Sequence, residues 1–234
     1  MSALIAERLR QRVRAAGAEP LITYYDLASG VRTELSAVTF ANWVDKTCNL
    51  IADEHLLDPG EVVELAVAAE SPGHWVTACW EIACWQLGLT VSVDSGIPPS
   101  LVVTGPDWSG YVGGGVDIVA CSLHPLGLGF ASPPPSGVAD YALEVRGQPD
   151  SFAPTPQSGL ALAWADPHRQ LILADLIDLP GPAARRLVRP GEPWATCRDG
   201  LLTALVSEGS VVVVVGDDPA RLARVISDER IDGV

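Results

Sequence analysis

The chain has 234 residues, of which 48% are hydrophobic and 19% are charged, a balance that excludes general disorder. Its 15 basic and 29 acidic residues give a net charge of −14, which repels phosphate backbones and argues against nucleic acid as a partner. The N-terminus lacks a signal-peptide pattern and the apolar runs are too short to span a bilayer, so we expect a cytoplasmic protein without membrane attachment.

The first half of the chain alternates strand and helix patterns. Two short apolar runs around "DLASG" predict a β-hairpin, and "TFANWVDKTCNLIADEHL" predicts a helix capped by Thr39. "VVELAVA" predicts the next strand. After a second helix, the strands "LTVSVD", "SLVVTG" and "DIVACSL" complete an order that is typical of an α/β fold, with a mainly parallel sheet flanked by helices.

The second helix, "SPGHWVTACWEIACWQLG", is predicted to start with Ser71 as its cap and Pro72 in the first helical position, and to end at Gly88. Its polar residues Thr77 and Glu81 lie four apart, so only a narrow stripe can face water and the helix should be largely buried. Its three tryptophans favour core packing. They are Trp75, Trp80 and Trp85.

The composition changes over residues 124–159, where Pro, Gly and Ser dominate and "VADYALEVRGQ" favours a short helix. We expect one domain over residues 1–234, in which this connection joins two α/β parts as a linker, a lid or a loop draped over the first part. Beyond it, "SVVVVVGDD" predicts a strand covered on both faces, because consecutive valines cannot alternate between core and solvent. Parallel strands are therefore predicted near residues 62–68, 89–93, 101–104, 117–121, 160–164 and 211–215.

The stretch "LALAWADPHRQLILADLIDL" predicts a buried strand, a short polar break and a helix. Within the break, Asp166 is placed to cap that helix, and His168 and Arg169 could contact an anion where the helix starts. These three are the candidate cofactor-binding residues. We favour the simpler interpretation, in which an N-cap aspartate is followed by a proline and by polar side chains that face solvent.

Metal and catalytic sites find little support in the sequence. His74, Cys79 and Cys84 are spaced by five residues, which places each side chain more than about 100° around a helix from the last. Cys121 and His124 form no set of converging ligands either, so no metal site is predicted. The chain contains no G-x-S-x-G motif, and we assign no catalytic residue.

Several motifs resemble the opening of the adenylate-forming enzymes, the superfamily of AMP-binding acyl-CoA synthetases, adenylation domains and luciferases. They are "DPGEVV", the tryptophan-bearing "ESPGHW", and Gly88 followed by "LTVSVD". Downstream, "GLLTALVSEGSVVVVVGDDPARLARVISDERIDGV" is similar to the helix, strand and helix that follow the phosphate loop of those enzymes. The resemblance implies part of their N-terminal domain, and more closely a small family of short AMP-binding-like proteins from high-GC bacteria.

In the resembling enzymes, a loop rich in Ser, Thr and Gly that ends in a lysine follows the strand matching "LALAWA", and it holds the ATP phosphates. Here "LALAWAD" leads almost directly into "HRQLILADLI", which is similar to the helix after that loop. Lys46 is the only lysine and belongs to the first helix after the hairpin. The resemblance therefore implies a truncated relative that uses no ATP or other cofactor.

From these observations we expect a non-catalytic protein on a truncated synthetase-like fold. It would act by binding a protein partner, either a second copy in a homodimer or a synthetase, or by binding a small acyl or nucleotide ligand. The alternative is a divergent AMP-binding or ligase-like enzyme that a partner chain completes.

Overall fold

The computed structural model describes residues 4–178 and 183–232, whose strands form two sheets. The larger sheet has seven strands, in the spatial order β7 (Val138–Asp140), β6 (Asp117–Ala120), β5 (Leu101–Thr104), β3 (Val62–Leu65), β4 (Thr90–Ser92), β8 (Leu162–Asp166) and β9 (Arg169–Ile172). The smaller sheet has the order β10 (Arg185–Val188), β11 (Ser210–Val215), β1 (Pro20–Asp26) and β2 (Val31–Ser36). Only the pairs β1–β2 and β8–β9 are antiparallel among these strands.

Eight α-helices flank these sheets in the described residues. They are α1 (Leu4–Ala16), α2 (Ala37–Leu50), α3 (Ala66–Glu70), α4 (Trp75–Leu87), α5 (Tyr141–Val145), α6 (Pro193–Cys197), α7 (Thr203–Val206) and α8 (Pro219–Asp228). A π-helical turn, Ile51–His55, extends α2, and a second one, Arg198–Leu202, joins α6 to α7. None of the helices in the part of the chain that the structure describes is long and apolar enough to cross a membrane.

The predicted mainly parallel α/β architecture is confirmed. Five of the six predicted strands lie in the larger sheet, and the sixth is β11 of the smaller one. The valines of β11 are buried on both faces: Val211 and Val213 join the main core, while Val212 and Val214 pack with Val225 of α8. The strand predicted at 62–68 ends earlier, because residues 66–70 turn into α3.

Both predicted helix starts were wrong, while the predicted end at Gly88 is confirmed. Ser36 caps α2, since its side chain accepts a hydrogen bond from the amide of Thr39, the residue predicted as the cap. His74, and not Ser71, caps α4, through a 3.2 Å hydrogen bond from the Val76 amide to Nδ1. Gly88 ends α4 with a φ of 74°, a left-handed conformation that favours glycine.

Helix α4 lies at the centre of the main core. All three of its tryptophans are buried, which confirms the predicted core packing, and the indole of Trp85 donates to the carbonyl of Ala163 at 2.8 Å. The predicted water-facing stripe does not exist, because Thr77 and Glu81 are buried as well. The helix is therefore surrounded by protein on every side.

The Pro- and Gly-rich connection over residues 124–159 contributes β7 to the edge of the larger sheet and contains α5. Its later part lies against α2. Lys46 is paired with Asp150 at 2.7 Å, and the Asn49 side chain donates to the carbonyl of Pro149 at 2.9 Å. The lysine and the amide together hold this connection on the surface of the helix.

Candidate functional site

The three candidate residues lie together in a tight turn. Strands β8 and β9 pair antiparallel with Asp166 opposite Arg169, so only Pro167 and His168 form the connection. The predicted helix after the break is therefore wrong. The segment instead forms β9, which pairs antiparallel with β8, and then a short 3₁₀ helix, Asp175–Ile177.

The carboxylate of Asp166 organises this turn. One oxygen accepts the amides of His168 at 2.7 Å and of Arg169 at 3.0 Å. The other accepts the indole N–H of Trp164 at 2.8 Å and lies 3.1 Å from Nε of Arg169. Asp166 thus bonds to the amides that follow it, as the cap prediction supposed, but it closes a hairpin and not a helix.

The surroundings of Asp166 fix its charge. Burial acts to raise the pKa of this carboxyl group, but the hydrogen bonds from Trp164 and from the amides of His168 and Arg169, together with the guanidinium of Arg169, outweigh burial and hold the pKa below its usual range. The group is therefore an anion at neutral pH. Any second anion in the turn would compete with it for the same donors.

Arg169 extends the arrangement to α6. Its guanidinium lies 3.4 Å from an oxygen of Glu192, which caps α6 by accepting the amides of Trp194 and Ala195. The rings of Trp164 and Trp194 pack beside this pair with their centroids 5.2 Å apart. Glu192 is not among the predicted site residues, although an acidic residue directly before Pro193 is a recognisable start of a helix.

His168 contributes to the turn in a different way. Its side chain is exposed, and its amide is the group that binds Asp166. The structure therefore brings all three candidates together, but two of them, Asp166 and Arg169, satisfy each other and leave the imidazole of His168 as the group that faces solvent.

Further carboxylates lie near the carboxyl ends of the central strands, the edge at which α/β folds usually bind ligands. Glu64 accepts a hydrogen bond from the Ser92 side chain and another, at 2.9 Å, from the Asp94 amide. Glu70 accepts from Thr104 at 3.0 Å. Here too, acidic side chains take donors supplied by the chain itself, which makes this edge unfavourable for anions.

His74 and the cysteines of α4, which were considered above as metal ligands, lie in the core. Burial lowers the pKa of His74 to about 4, so its imidazole is neutral while Nδ1 caps α4. Burial likewise raises the pKa of the thiols of Cys79 and Cys84. Within residues 4–178 and 183–232, no group of three or more His, Cys, Asp or Glu side chains is placed to hold a metal ion.

Comparison with known proteins shows a sequence relative and a structural class. No family model matches the chain. A protein of Mycobacterium tuberculosis (strain ATCC 25618 / H37Rv) described as a TIGR03089 family protein is 35% identical over 239 residues, which cover 95% of this chain and 93% of that protein.

Solved structures of acyl-CoA synthetases share the fold. An acyl-CoA synthetase of Brucella canis superposes with a TM-score of 0.77 at 13% identity, over 97% of this chain and 46% of its own. A benzoate CoA ligase of Burkholderia xenovorans LB400 gives 0.68 at 11% identity, over 95% and 48%. The N-terminal domain of FACL13 from Mycobacterium tuberculosis gives 0.67 at 13% identity, over 98% and 62%. The chain has the fold of their N-terminal region and spans about half of the length of the two ligases.

Proposed function

The chain belongs to the TIGR03089 family, and from that premise we propose that it is a non-catalytic protein on the acyl-CoA synthetase fold that acts by binding a protein partner. The observation that carries the proposal is the carboxylate of Asp166 in the β8–β9 turn. This turn follows the strand that, in the resembling enzymes, leads into the phosphate loop.

The turn does not fit a triphosphate. Phosphate groups bind where free main-chain amides and positive charge point at them. Here the amides of His168 and Arg169 donate to Asp166, and the guanidinium of Arg169 is shared between Asp166 and Glu192. A triphosphate would have to displace an ionised carboxylate from its own hydrogen bonds.

Lys46, the only lysine of the chain, also binds groups of the chain itself. Its ammonium group pairs with Asp150 and donates to the carbonyl of Gln148, on the connection that covers α2. This supports a structural role for a residue type that the resembling enzymes use to contact phosphate.

Exposed leucines support a protein partner. Leu126 and Leu143 are 73% and 61% exposed, and both belong to the connection over residues 124–159. Burial of aliphatic surface of this kind stabilises a complex by about 25 cal/mol for each Å². The proposed partner surface is therefore the outer face of this connection. The proposed partner is a second copy of the chain, because two-fold dimers are the commonest closed assemblies.

Light scattering behind size exclusion tests the partner. We expect about twice the 24.6 kDa of one chain for the wild type, and a return to one chain for Leu143→Glu. Leu160→Glu is the matched control, because Leu160 is 79% exposed but lies outside the connection, and it should stay dimeric. A wild type that remains at 24.6 kDa on concentrating would rule out the homodimer, and a dimer that survives Leu143→Glu would rule out this surface.

An assay of pyrophosphate release tests the absence of catalysis. Adenylation of a carboxylic acid by ATP must release pyrophosphate, so the protein incubated with Mg-ATP and a panel of aliphatic and aromatic acids should release none above a blank without protein. Release that depends on the acid would overturn the non-catalytic proposal, whatever the oligomeric state.

A further inference from the structure

A buried carboxyl group lies in the middle of α4, in the core and outside the candidate site. Glu81 is 1% exposed, and its Oε1 has no hydrogen-bond partner in the part of the chain that the structure describes. Buried polar atoms are nearly always bonded to protein or to ordered water. An unpartnered oxygen at full burial therefore points to a missing ligand.

A small cavity adjoins this carboxyl group. It has a volume of about 20 Å³, and its walls include Glu81 of α4, Cys197 at the end of α6, Gly200 of the second π-helical turn, and Val211 and Val213 of β11. One water molecule needs roughly 10–15 Å³ of such space. The cavity is therefore large enough for one water molecule and too small for a metabolite.

Part of the cavity wall is main chain. Gly73 and Gly200 both line it, and a glycine can do so only with main-chain atoms. Gly200 also leaves the helical conformation inside the π-helical turn, with φ −88° and ψ −105°. Turns of this kind are frequent at functional sites in helices. This part of the wall therefore consists of main-chain atoms alone.

The groups that face Glu81 carry no positive charge. The thiol of Cys197 forms a hydrogen bond with the carboxyl group, and the thiols of Cys79 and Cys84 are the other titratable groups that its charge affects. Burial raises the pKa of Glu81 to about 8, with the Cys197 bond opposing this. The neutral carboxyl group has both a donor and acceptors, as a bound water molecule requires.

We propose that the cavity between α4 and the second π-helical turn binds one ordered water molecule, held by the carboxyl group of Glu81 in its neutral form. The water completes the hydrogen bonding of Oε1 and connects α4 to the helical segment opposite. It makes Glu81 a structural ligand in the layer between α4 and the smaller sheet.

Crystal structures of three forms of the protein test the site. The wild type and Glu81→Gln should both show one water peak in the cavity, because the amide keeps a donor and an acceptor. Glu81→Met, of similar size and without polar atoms, should lose the peak. An empty cavity in the wild type, or a peak that persists in Glu81→Met, would overturn the proposal.

Infrared spectroscopy tests the protonation state in solution and does not require the methionine variant to fold. At neutral pH the wild type should show the C=O band of a buried protonated carboxyl group, which disappears on alkaline titration. Glu81→Gln should lack this band, and Glu208→Gln, at an exposed glutamate, should retain it. A wild type without the band, or a band that is retained in Glu81→Gln, would show that Glu81 does not hold the water in the neutral form.

Discussion

Asp166 lies half-buried in a turn and Glu81 lies fully buried in the core, and the surroundings of the two carboxyl groups have opposite effects on charge. Two amides, an indole and a guanidinium surround Asp166 and hold its pKa below the usual range. Glu81 has a thiol and an unpartnered oxygen, and burial raises its pKa to about 8. The comparison shows that burial raises the pKa of a carboxyl group that few donors oppose, as at Glu81, and that several donors together outweigh burial, as at Asp166.

The largest expected effect concerns the pH dependence of Glu81. Its pKa is about 8 in the folded protein and 4.5 for an exposed glutamate, so its stabilising contribution is complete below pH 4.5 and is lost as the pH rises through 8. The loss should be on the order of 5 kcal/mol, or about 1.4 kcal/mol for each pH unit. Urea unfolding over this pH range should show the slope in the wild type.

The matched variants decide whether that slope belongs to Glu81. Glu81→Gln has no titrating group at this position. Its unfolding free energy should therefore depend less on pH between 5 and 8, the range in which most of the wild-type change occurs. Glu208→Gln should keep the wild-type slope. An unchanged slope in Glu81→Gln would mean that Glu81 is ionised in the fold, as Asp166 is.

Substitution of Asp166 should have the next largest effect. Asp166→Ala leaves the indole of Trp164 and the turn amides without their acceptor, which should cost about 2–3 kcal/mol of unfolding free energy. The sign of its pH dependence is opposite to that of Glu81. Because the folded pKa is lowered, the contribution of Asp166 is present above the unfolded pKa and is lost as the pH falls through the folded value.

Asp166→Asn separates charge from shape in this turn. The amide keeps one acceptor oxygen, so its cost at neutral pH should be smaller than that of alanine. Its unfolding free energy should also lack the acid-side decline of the wild type. An asparagine variant as stable as the wild type at neutral pH would contradict the importance that we give to the carboxylate charge.

A smaller effect is expected for Arg169→Met, which keeps the aliphatic stem but removes the charge shared by Asp166 and Glu192. The guanidinium is partly exposed, so the loss should be about 1 kcal/mol, measured as a shift in the urea midpoint. The shift should shrink at high salt. If Arg169→Met loses as much unfolding free energy as Asp166→Ala, the guanidinium contributes more than the amides to the stability of the turn.

The smallest effect should come from Lys46→Met. The ion pair with Asp150 is exposed on the aspartate side, and pairs of this kind contribute from about 0 to 1 kcal/mol. Hydrogen exchange should nonetheless be faster in the connection near residues 148–151, because Lys46 holds its carbonyls. Unchanged exchange there would show that Lys46 does not hold this connection on α2.

The sequence predicted the strands well because their apolar runs are long and strongly patterned. Val211–Val214 cannot alternate between core and solvent, and the structure covers both faces of that strand. Gly88 marked the end of α4 because few other residues adopt its left-handed conformation. These features are local, so a single sequence contains them.

The candidate site was harder to predict because its structure depends on pairing across the turn. The apolar residues after Arg169 fit a helix as well as a strand, and only their pairing with β8 selects the strand. The burial of Glu81 was missed for a related reason. A polar stripe on a helix predicts exposure, and α6 and β11, which help to cover this helix, come from more than a hundred residues downstream.

Calorimetric titration of Mg-ATP tests most directly the central claim, that Asp166 takes the donors which a phosphate would need. The wild type should give no binding heat at micromolar protein, and Asp166→Asn, which frees no amide, should give none either. A dissociation constant in the micromolar range for the wild type, or about −8 kcal/mol of binding free energy, would contradict the claim.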